Sequence, residues 1–189
     1  MTRIFDFIFS IIGLFLFSPI FLVLLVIGFF DTGSPIFRQE RVGKGKKAFR
    51  LMKFRSMHVN APSVATHLAS ASSITPFGSF LRKSKLDELP QLWNVFVGDM
   101  SLVGPRPNLF NQEELILERD SRGVYSVHPG ITGLAQINKI DMSTPQLLAE
   151  TDAKMIHELN TIGYFKYIFL TVYGKGFGDR INKDADRTD

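Results

Sequence analysis

The length, composition and net charge of the chain limit the classes of protein to which it can belong. The chain has 189 residues, enough for one domain with its own core, and its net charge of +4 suits anionic partners such as nucleic acid, anionic lipid or phosphorylated small molecules. The absence of cysteine excludes disulfides, thiol catalysis and thiolate metal sites.

An uncharged apolar segment occupies residues 7–30. At about 1.5 Å per residue, a helix of this length extends roughly 36 Å and can cross a hydrocarbon core of about 30 Å. Ser18 and Pro19 stand in its middle, where proline interrupts the backbone hydrogen bonds and serine can bond a freed carbonyl. The residues alone favour a kinked helix that spans the membrane. They also allow a re-entrant helix, whose two ends lie at the same membrane face.

A basic segment follows the apolar one. From Arg38 to Arg55 there are eight lysines and arginines but one acidic residue, and the positive-inside rule assigns such a segment to the cytoplasm. Two short, partly alternating runs at residues 36–41 and 48–54 flank a glycine-rich turn and predict a β-hairpin. Lys53 and Arg55 therefore stand at the end of its second strand.

The next segment combines a predicted loop with a predicted helix start. Residues 60–73 are rich in alanine and serine and poor in charge, which indicates a mobile loop or lid. Thr75 followed by Pro76 is typical of a helix start, because threonine caps a helix and proline is favoured at its first position. This helix would bring Arg82 up to the residues that follow, where its guanidinium could contact a phosphate.

Residues 84–107 contain the densest group of chemically informative side chains. Asp87 and Glu88 precede a proline, and because proline is tolerated only in the first turn, we expect a helix to begin near Asp87 and end at Gly98. The positive end of that helix would favour the ionised carboxylate of Asp87. The acidic pair by itself fits a helix cap. Arg106 lies between two prolines, and by itself it fits an exposed loop. Together they could bind a phosphate.

The second half of the chain alternates helices with loops. Residues 111–123 predict a partly exposed helix, and residues 128–138 predict a loop that leads into an extended segment. A Thr-Pro pair at Thr144 predicts a further helix start. Residues 164–170 are mainly aromatic and apolar, which fits an interfacial helix and a buried core helix equally, and residues 179–189 form a polar tail.

Several stretches resemble the bacterial sugar transferase family, the monotopic phosphoglycosyl transferases. The run Leu-Asp-Glu-Leu-Pro-Gln-Leu-Trp-Asn-Val at residues 86–95, followed by Gly-Asp-Met-Ser-Leu-Val-Gly-Pro-Arg-Pro at 98–107, is similar to the family signature almost throughout. Lys-Phe-Arg-Ser-Met at 53–57 and Pro-Gly-Ile-Thr-Gly-Leu-Ala-Gln-Ile-Asn at 129–138 resemble two further family motifs.

The motif at 129–138 departs from the family pattern. Leu134 stands where tryptophan is usual, and Lys139 and Ile140 replace the Gly-Arg that often follows Asn138. His128 stands where lysine or arginine is usual, and a largely neutral imidazole would bind phosphate weakly at neutral pH.

The resemblance implies an α+β, mainly helical fold with a small β-hairpin and amphipathic helices at the membrane interface. It also implies that the N-terminal helix is re-entrant and broken at Ser18 and Pro19. We therefore expect one integrated domain of the minimal, single-domain form. In it, residues 1–31 are the re-entrant membrane helix, 32–178 the cytoplasmic catalytic part and 179–189 the tail.

The same resemblance implies transfer of a phosphosugar from a UDP-sugar to polyprenyl (undecaprenyl) phosphate, with release of UMP and dependence on Mg²⁺. The expected location is the cytoplasmic face of the bacterial inner membrane, with membrane lipid but no nucleic acid as a partner. Asp87 is expected to form a covalent phosphosugar intermediate in a ping-pong reaction, and Glu88 to hold the metal or deprotonate the lipid phosphate. The other candidates are Lys53, Arg55, Arg82 and Arg106 for phosphates, and Thr132, Gln136 and Asn138 for nucleotide or sugar.

An alternative hypothesis from a different class is a bitopic membrane protein without catalytic activity. Its basic cytoplasmic domain would bind anionic lipid or nucleic acid. This hypothesis predicts no UMP release from any UDP-sugar and binding that salt weakens strongly.

Overall fold

The computed structural model describes residues 2–61 and 71–173 of the chain. They form the expected mainly helical α+β fold with the predicted antiparallel hairpin, and they also contain a parallel strand pair that was not predicted. Most of the predicted loop at 60–73 and the whole predicted tail at 179–189 lie outside these residues. The elements are α1 (Thr2–Leu16), α2 (Ser18–Thr32), β1 (Ile36–Val42), β2 (Ala48–Phe54), α3 (Pro76–Ser84), α4 (Gln91–Val97), β3 (Ser101–Val103), α5 (Glu113–Ser121), β4 (Gly130–Thr132), α6 (Leu134–Ile137), α7 (Pro145–Glu158) and α8 (Thr161–Val172).

The first two helices meet at the predicted break. α1 ends at Leu16, α2 begins at Ser18 with Pro19 in its first turn, and the two helices are bent by 62°. The Ser18 hydroxyl donates a 2.7 Å hydrogen bond to the carbonyl of Phe15, close to the interruption. Neither helix alone is long and apolar enough to cross a membrane. The bent pair passes the length and composition test together, as a broken span or a re-entrant loop.

α1 and α2 pack on different parts of the fold. The ring of Phe7 in α1 stacks on Phe96 of α4, with ring centroids 5.4 Å apart. Leu24 of α2 is buried in a cluster with Phe54 of β2 and Leu81 of α3. The outer surfaces of the pair expose many large apolar side chains, among them Ile4, Ile12, Phe15, Leu16, Leu22, Val23, Phe29 and Phe30. An exposed apolar surface of this kind marks a contact with a membrane or with another protein.

The basic segment forms the predicted β-hairpin. β1 and β2 pair in antiparallel register from Ile36 opposite Phe54 to Val42 opposite Ala48. Gly45 in the connecting turn has a φ of +63°, a left-handed conformation that glycine adopts without steric cost. The hairpin therefore brings the second strand, with Lys53 near its end, back towards the N-terminal helix pair.

α3 begins as predicted and is fixed closely to the end of β2. The Thr75 hydroxyl accepts a 2.8 Å hydrogen bond from the amide of Gly78, the bond expected of a helix cap. Gly78 lies directly over Ser56, and a Cβ atom there would be 2.0 Å from the Ser56 carbonyl oxygen. This close approach places the last turn of α3, with Arg82, beside the residues that follow β2.

A short parallel strand pair organises the second half of the chain. β3 and β4 pair in parallel, and Val103 of β3 is buried against Met155 of α7 and Tyr164 of α8. α5 lies within the predicted range, and α7 begins directly after Thr144 as predicted. In α8, Tyr164 is fully buried whereas Phe169 and other apolar side chains are exposed, so a position at the membrane interface stays a prediction.

The segment after β4 differs from the prediction. The sequence predicts a loop at 128–138 that leads into an extended segment, but only Gly130–Thr132 is extended, and Leu134–Ile137 forms the short helix α6. A helix of four residues contains little more than one turn, so it leaves no periodic pattern in the sequence.

Candidate functional site

Asp87 and Glu88 lie in a single 3₁₀ turn between α3 and α4. α4 begins only at Gln91, so the prediction of a helix beginning near Asp87 is wrong by about one turn, whereas its predicted end at Gly98 is confirmed. The cause lies around Pro90, where successive amide hydrogen bonds span three residues instead of four and keep the turn separate from the helix. The dipole of α4 therefore acts on Asp87 less than expected, since its effect falls off within one turn.

Both carboxylates are largely buried, and Glu88 is held by two cations. Asp87 is 3% exposed and Glu88 is 9% exposed. Arg106 donates from Nη2 to Oε1 of Glu88 at 2.5 Å, and Nζ of Lys53 lies 4.0 Å from the same oxygen. Neighbouring residues on a 3₁₀ turn are about 120° apart, so the two carboxylates leave the turn in different directions. The hairpin, the turn and the Pro-Arg-Pro loop thus meet at Glu88.

Arg82 offers an unsatisfied hydrogen-bond donor beside β2. Its Nε donates to the hydroxyl of Ser56 at 2.8 Å, but its Nη1 is buried and has no hydrogen-bond partner among residues 2–61 and 71–173. Leaving a buried donor unsatisfied costs about 1–3 kcal/mol, and more for a charged group. An anionic ligand would remove that cost, which fits the predicted role of Arg82 in binding phosphate.

Arg55 is directed elsewhere. Its Nε donates to the carbonyl of Ser34 at 2.8 Å, and its guanidinium lies 5.4 Å from the centroid of the Phe37 ring. In a continuous strand Lys53 and Arg55 would share one face, but β2 ends at Phe54 and the alternation ends with it. The structure does not bring Arg55 to Glu88, and its phosphate-binding role stays a prediction.

The predicted nucleotide or sugar residues make contacts within the protein. The Thr132 hydroxyl is hydrogen-bonded to the hydroxyl of Thr171, and Nε2 of Gln136 donates to the carbonyl of Gly104 at 3.2 Å. Asn138 follows the end of α6. These contacts support the end of β3, so binding of nucleotide or sugar by Thr132, Gln136 and Asn138 stays a prediction.

His128 lies on a surface that carries other cations. Burial lowers the pKa of His128, and the charges of Arg3 and Lys44 lower it further. A lowered pKa favours the neutral imidazole at pH 7, and weak phosphate binding by His128 stays a prediction.

A buried carboxylate network that sequence reasoning missed joins α1 to β3 and α8. Asp6 is 0% exposed, and its Oδ1 accepts hydrogen bonds from the Ser101 hydroxyl (2.9 Å), the Leu102 amide (2.8 Å) and the Tyr164 hydroxyl (2.7 Å). Its Oδ2 lies 3.3 Å from Nη1 of Arg3. Burial, followed by the bond to Asp6, raises the pKa of Tyr164, so its hydroxyl stays protonated and donates.

The described part of the chain has no ready-made metal site. Within it, no group of three or more His, Cys, Asp or Glu side chains is placed to hold a metal ion. Mg²⁺, however, is commonly bound through one or two carboxylates together with substrate phosphates and water. Glu88 could supply such a carboxylate beside a bound phosphate, so this residue fits an ion that arrives with its substrate.

Comparison with known proteins assigns the family. A sequence model of the family described as bacterial sugar transferase matches residues 1–175, and the chain belongs to that family. It is similar to proteins named UDP-glucose:undecaprenyl-phosphate glucose-1-phosphate transferase. The one from Klebsiella pneumoniae is 41% identical and aligns with 97% of this chain, and the one from Escherichia coli K12 is 37% identical and aligns with 98%.

The relatives differ in how much of their own length they share with this chain. The chain spans 41% of each of those two glucose-1-phosphate transferases. It also resembles the exopolysaccharide production protein PSS of Rhizobium leguminosarum, with 36% identity over 94% of this chain and 98% of that protein. The similarity therefore covers a portion of some relatives and nearly the whole of another.

Proposed function

We propose that this protein is a phosphoglycosyl transferase that moves a phosphosugar from a UDP-sugar to polyprenyl phosphate, releasing UMP. The observation that carries the proposal is the pair of buried carboxylates, Asp87 and Glu88, together with the ion pairs of Lys53 and Arg106 with Glu88. The names of two relatives, which specify UDP-glucose and undecaprenyl phosphate, support the same substrate classes.

Asp87 is the proposed nucleophile. A carboxylate has a reference pKa near 3.9 and needs no base at neutral pH before it attacks the β-phosphorus of the UDP-sugar. A bond forms between a carboxylate oxygen and that phosphorus, and the bond from the phosphorus to the bridging oxygen breaks. UMP leaves with the bridging oxygen, and the phosphosugar stays on Asp87.

The second half-reaction returns the carboxylate. An oxygen of polyprenyl phosphate attacks the phosphorus of the Asp87 adduct, the carboxylate leaves, and polyprenyl diphosphate-sugar is formed. As the alternative to holding the metal, Glu88 would receive a proton from the lipid phosphate when that phosphate arrives protonated. The order of the two half-reactions is ping-pong, because UMP leaves before the lipid acceptor reacts.

The cations at Glu88 address the main obstacle, which is repulsion between Asp87 and an anionic diphosphate. Oε1 of Glu88 accepts a hydrogen bond from Arg106 and lies 4.0 Å from Nζ of Lys53, and a diphosphate would compete with Glu88 for both cations. The unsatisfied Nη1 of Arg82 would be a third contact. In water these attractions would be weak, but the low exposure of the turn strengthens them.

Mg²⁺ is the proposed cofactor. Glu88 would provide the protein ligand, and the ion would neutralise diphosphate charge when bound. Removal of divalent cations should then stop the reaction without unfolding the protein.

The proposed location is the cytoplasmic face of the bacterial inner membrane, with α1 and α2 inserted as a re-entrant pair and α8 at the interface. The 62° bend and the exposed apolar surface of the pair support this arrangement. A lipid-linked acceptor reaches the site only if Asp87 lies at the membrane surface, so insertion and chemistry would depend on each other.

The direct test of the proposed activity is an assay of UMP release with a panel of UDP-sugars. We expect release with at least one of them, formation of a lipid-linked product when polyprenyl phosphate is present, and loss of both with EDTA. Restoring Mg²⁺ should restore both. Absence of UMP release from every UDP-sugar, together with salt-sensitive binding of anionic vesicles or nucleic acid, would instead favour the non-catalytic bitopic protein.

Topology can be tested cleanly because the natural chain has no cysteine. We expect a single cysteine introduced as Thr2→Cys to resist membrane-impermeant thiol reagents in intact cells and to react after lysis. Lys47→Cys, in the turn of the β-hairpin, is the matched cytoplasmic control and should behave identically. Labelling of Thr2→Cys but not Lys47→Cys in intact cells would show that the helix pair spans the membrane.

A further inference from the structure

The backbone of the Pro-Arg-Pro loop is held at every carbonyl from residue 105 to residue 108. Each of these four carbonyls accepts a hydrogen bond from a different residue elsewhere in the fold. The bonds are Gly130 N to Pro105 O (2.8 Å), Arg119 Nη1 to Arg106 O (2.9 Å), Arg41 Nη1 to Pro107 O (3.1 Å) and Val42 N to Asn108 O (2.9 Å). The donors come from β1, α5 and β4, so the loop is fixed from three elements.

The prolines explain why such external support is needed. Pro105 and Pro107 have no amide hydrogen, so the loop cannot form a regular strand or helix of its own. Its φ angles are restricted at two positions, but only bonds from outside can set where the loop lies. Because the Arg106 side chain reaches Glu88 from this backbone, its position depends on those bonds.

Arg119 is the buried charged member of this set. It is 1% exposed, its Nε and Nη2 donate to Oδ2 of Asp152 at 3.1 and 2.6 Å, and Asp152 is 0% exposed. Its remaining nitrogen, Nη1, donates both to the Arg106 carbonyl and to Oδ1 of Asn108, each at 2.9 Å. Tyr125 donates to the same Asn108 oxygen at 3.1 Å. One guanidinium thus joins α7 to two successive parts of the loop.

A buried ion pair of this kind is a poor way to gain stability, because desolvation of two charges offsets most of their attraction. The geometry of the Arg119–Asp152 pair is better explained by a role in holding the backbone of the Pro-Arg-Pro loop in place. A guanidinium is planar and presents donors on two edges, so it can hold a carboxylate and a carbonyl at the same time, which a lysine ammonium does less rigidly.

We propose that Arg119, oriented by Asp152, is a positioning residue that fixes Arg106 for contact with the diphosphate of the substrate. The inference rests on the proposed function, because Arg106 needs to be positioned only if it contacts the substrate at the proposed site. Among residues 2–61 and 71–173, Arg119 makes no hydrogen bond or ion pair with Glu88 or with the Arg106 guanidinium, and it acts through the Arg106 carbonyl.

A double-mutant cycle on activity tests the proposal. We expect Arg119→Lys to lower kcat/KM for UMP release by about ten- to a hundredfold, because a displacement of about 1 Å at a reacting site can cost a hundredfold. In an Arg106→Ala background the same change should have little further effect, since the side chain that it positions is gone. Equal losses in both backgrounds would overturn the proposal. Arg122→Lys, at a half-buried arginine that pairs with Glu118 and Glu150, is the matched control and should leave activity unchanged.

Two further measurements keep the outcome clear. If Arg119→Lys does not fold, Asp152→Asn keeps the size of the side chain, loosens the orientation of Arg119, and should show the same dependence on Arg106. A second double-mutant cycle measures the melting temperature, which does not depend on catalytic activity. The Tm losses of Arg119→Lys and Glu88→Gln should be non-additive, because the two residues are joined through Arg106. Additive Tm losses would overturn the positioning role, whereas absence of UMP release by the unmodified protein would overturn only the proposed function.

Discussion

We expect Asp87→Asn to lower UMP release by about a thousandfold or more, the scale of loss seen when a nucleophile is removed from an enzyme. The amide has nearly the size of the carboxylate but is a poor nucleophile, so the adduct with phosphosugar cannot form. Because the side chain is 3% exposed, a substitution of similar size should preserve packing around the turn. Membrane association and melting temperature are therefore expected to stay close to those of the unmodified protein.

The measurement combines kinetics with direct detection of the intermediate. With a UDP-sugar and no lipid acceptor, intact-mass analysis should show a phosphosugar adduct on the unmodified protein and none on Asp87→Asn. Labelled UMP should also exchange into UDP-sugar without acceptor. Asp120→Asn is a suitable control, because Asp120 is exposed and pairs only with Lys46 among its described contacts. Full activity of Asp87→Asn would end the covalent hypothesis.

Local rules of the chain account for the parts of the fold that the sequence predicts correctly. Thr75 caps α3, Gly98 ends α4 in a left-handed conformation, and α2 begins at Ser18. Each of these depends on residues within one or two turns, so the chemistry of a short stretch decides it. The same is true of the β-hairpin, whose two strands are neighbours in the sequence.

The contacts that shape the candidate site are instead distant in the sequence. Arg119 and Asp152 are separated by 33 residues, and Asp6 and Tyr164 by 158. Arg119 lies in a charged stretch that is typical of an exposed helix, and no local pattern indicates that it is buried. Asp6 has a weak signal of its own, a carboxylate within the first turns of an apolar helix, which is costly unless it has partners. Recognising its partners requires the tertiary fold.

Asp6→Ala should produce a large loss of stability, although Asp6 lies outside the candidate catalytic turn. The change removes the acceptor for the hydroxyls of Ser101 and Tyr164 and for the Leu102 amide, and it leaves buried donors without partners. We expect the free energy of unfolding to fall by about 3–5 kcal/mol, a large share of the 5–15 kcal/mol typical of a domain. Denaturant titration in detergent micelles, followed by intrinsic fluorescence, measures this difference.

The matched comparisons separate the network from a general effect of charge. Asp120→Ala removes an exposed ion pair and should cost less than about 1 kcal/mol. Tyr164→Phe removes one donor and leaves the other bonds of Asp6, so its cost should be intermediate. An Asp6→Ala protein that unfolds at the same denaturant concentration as the unmodified one would contradict the network.

Loss of the Asp6 network should also affect the candidate site, because the Leu102 amide lies in β3, a few residues before Arg106. Through Asp6, α1 and the loop that carries Arg106 are therefore tied to the same strand, and loosening one should loosen the other.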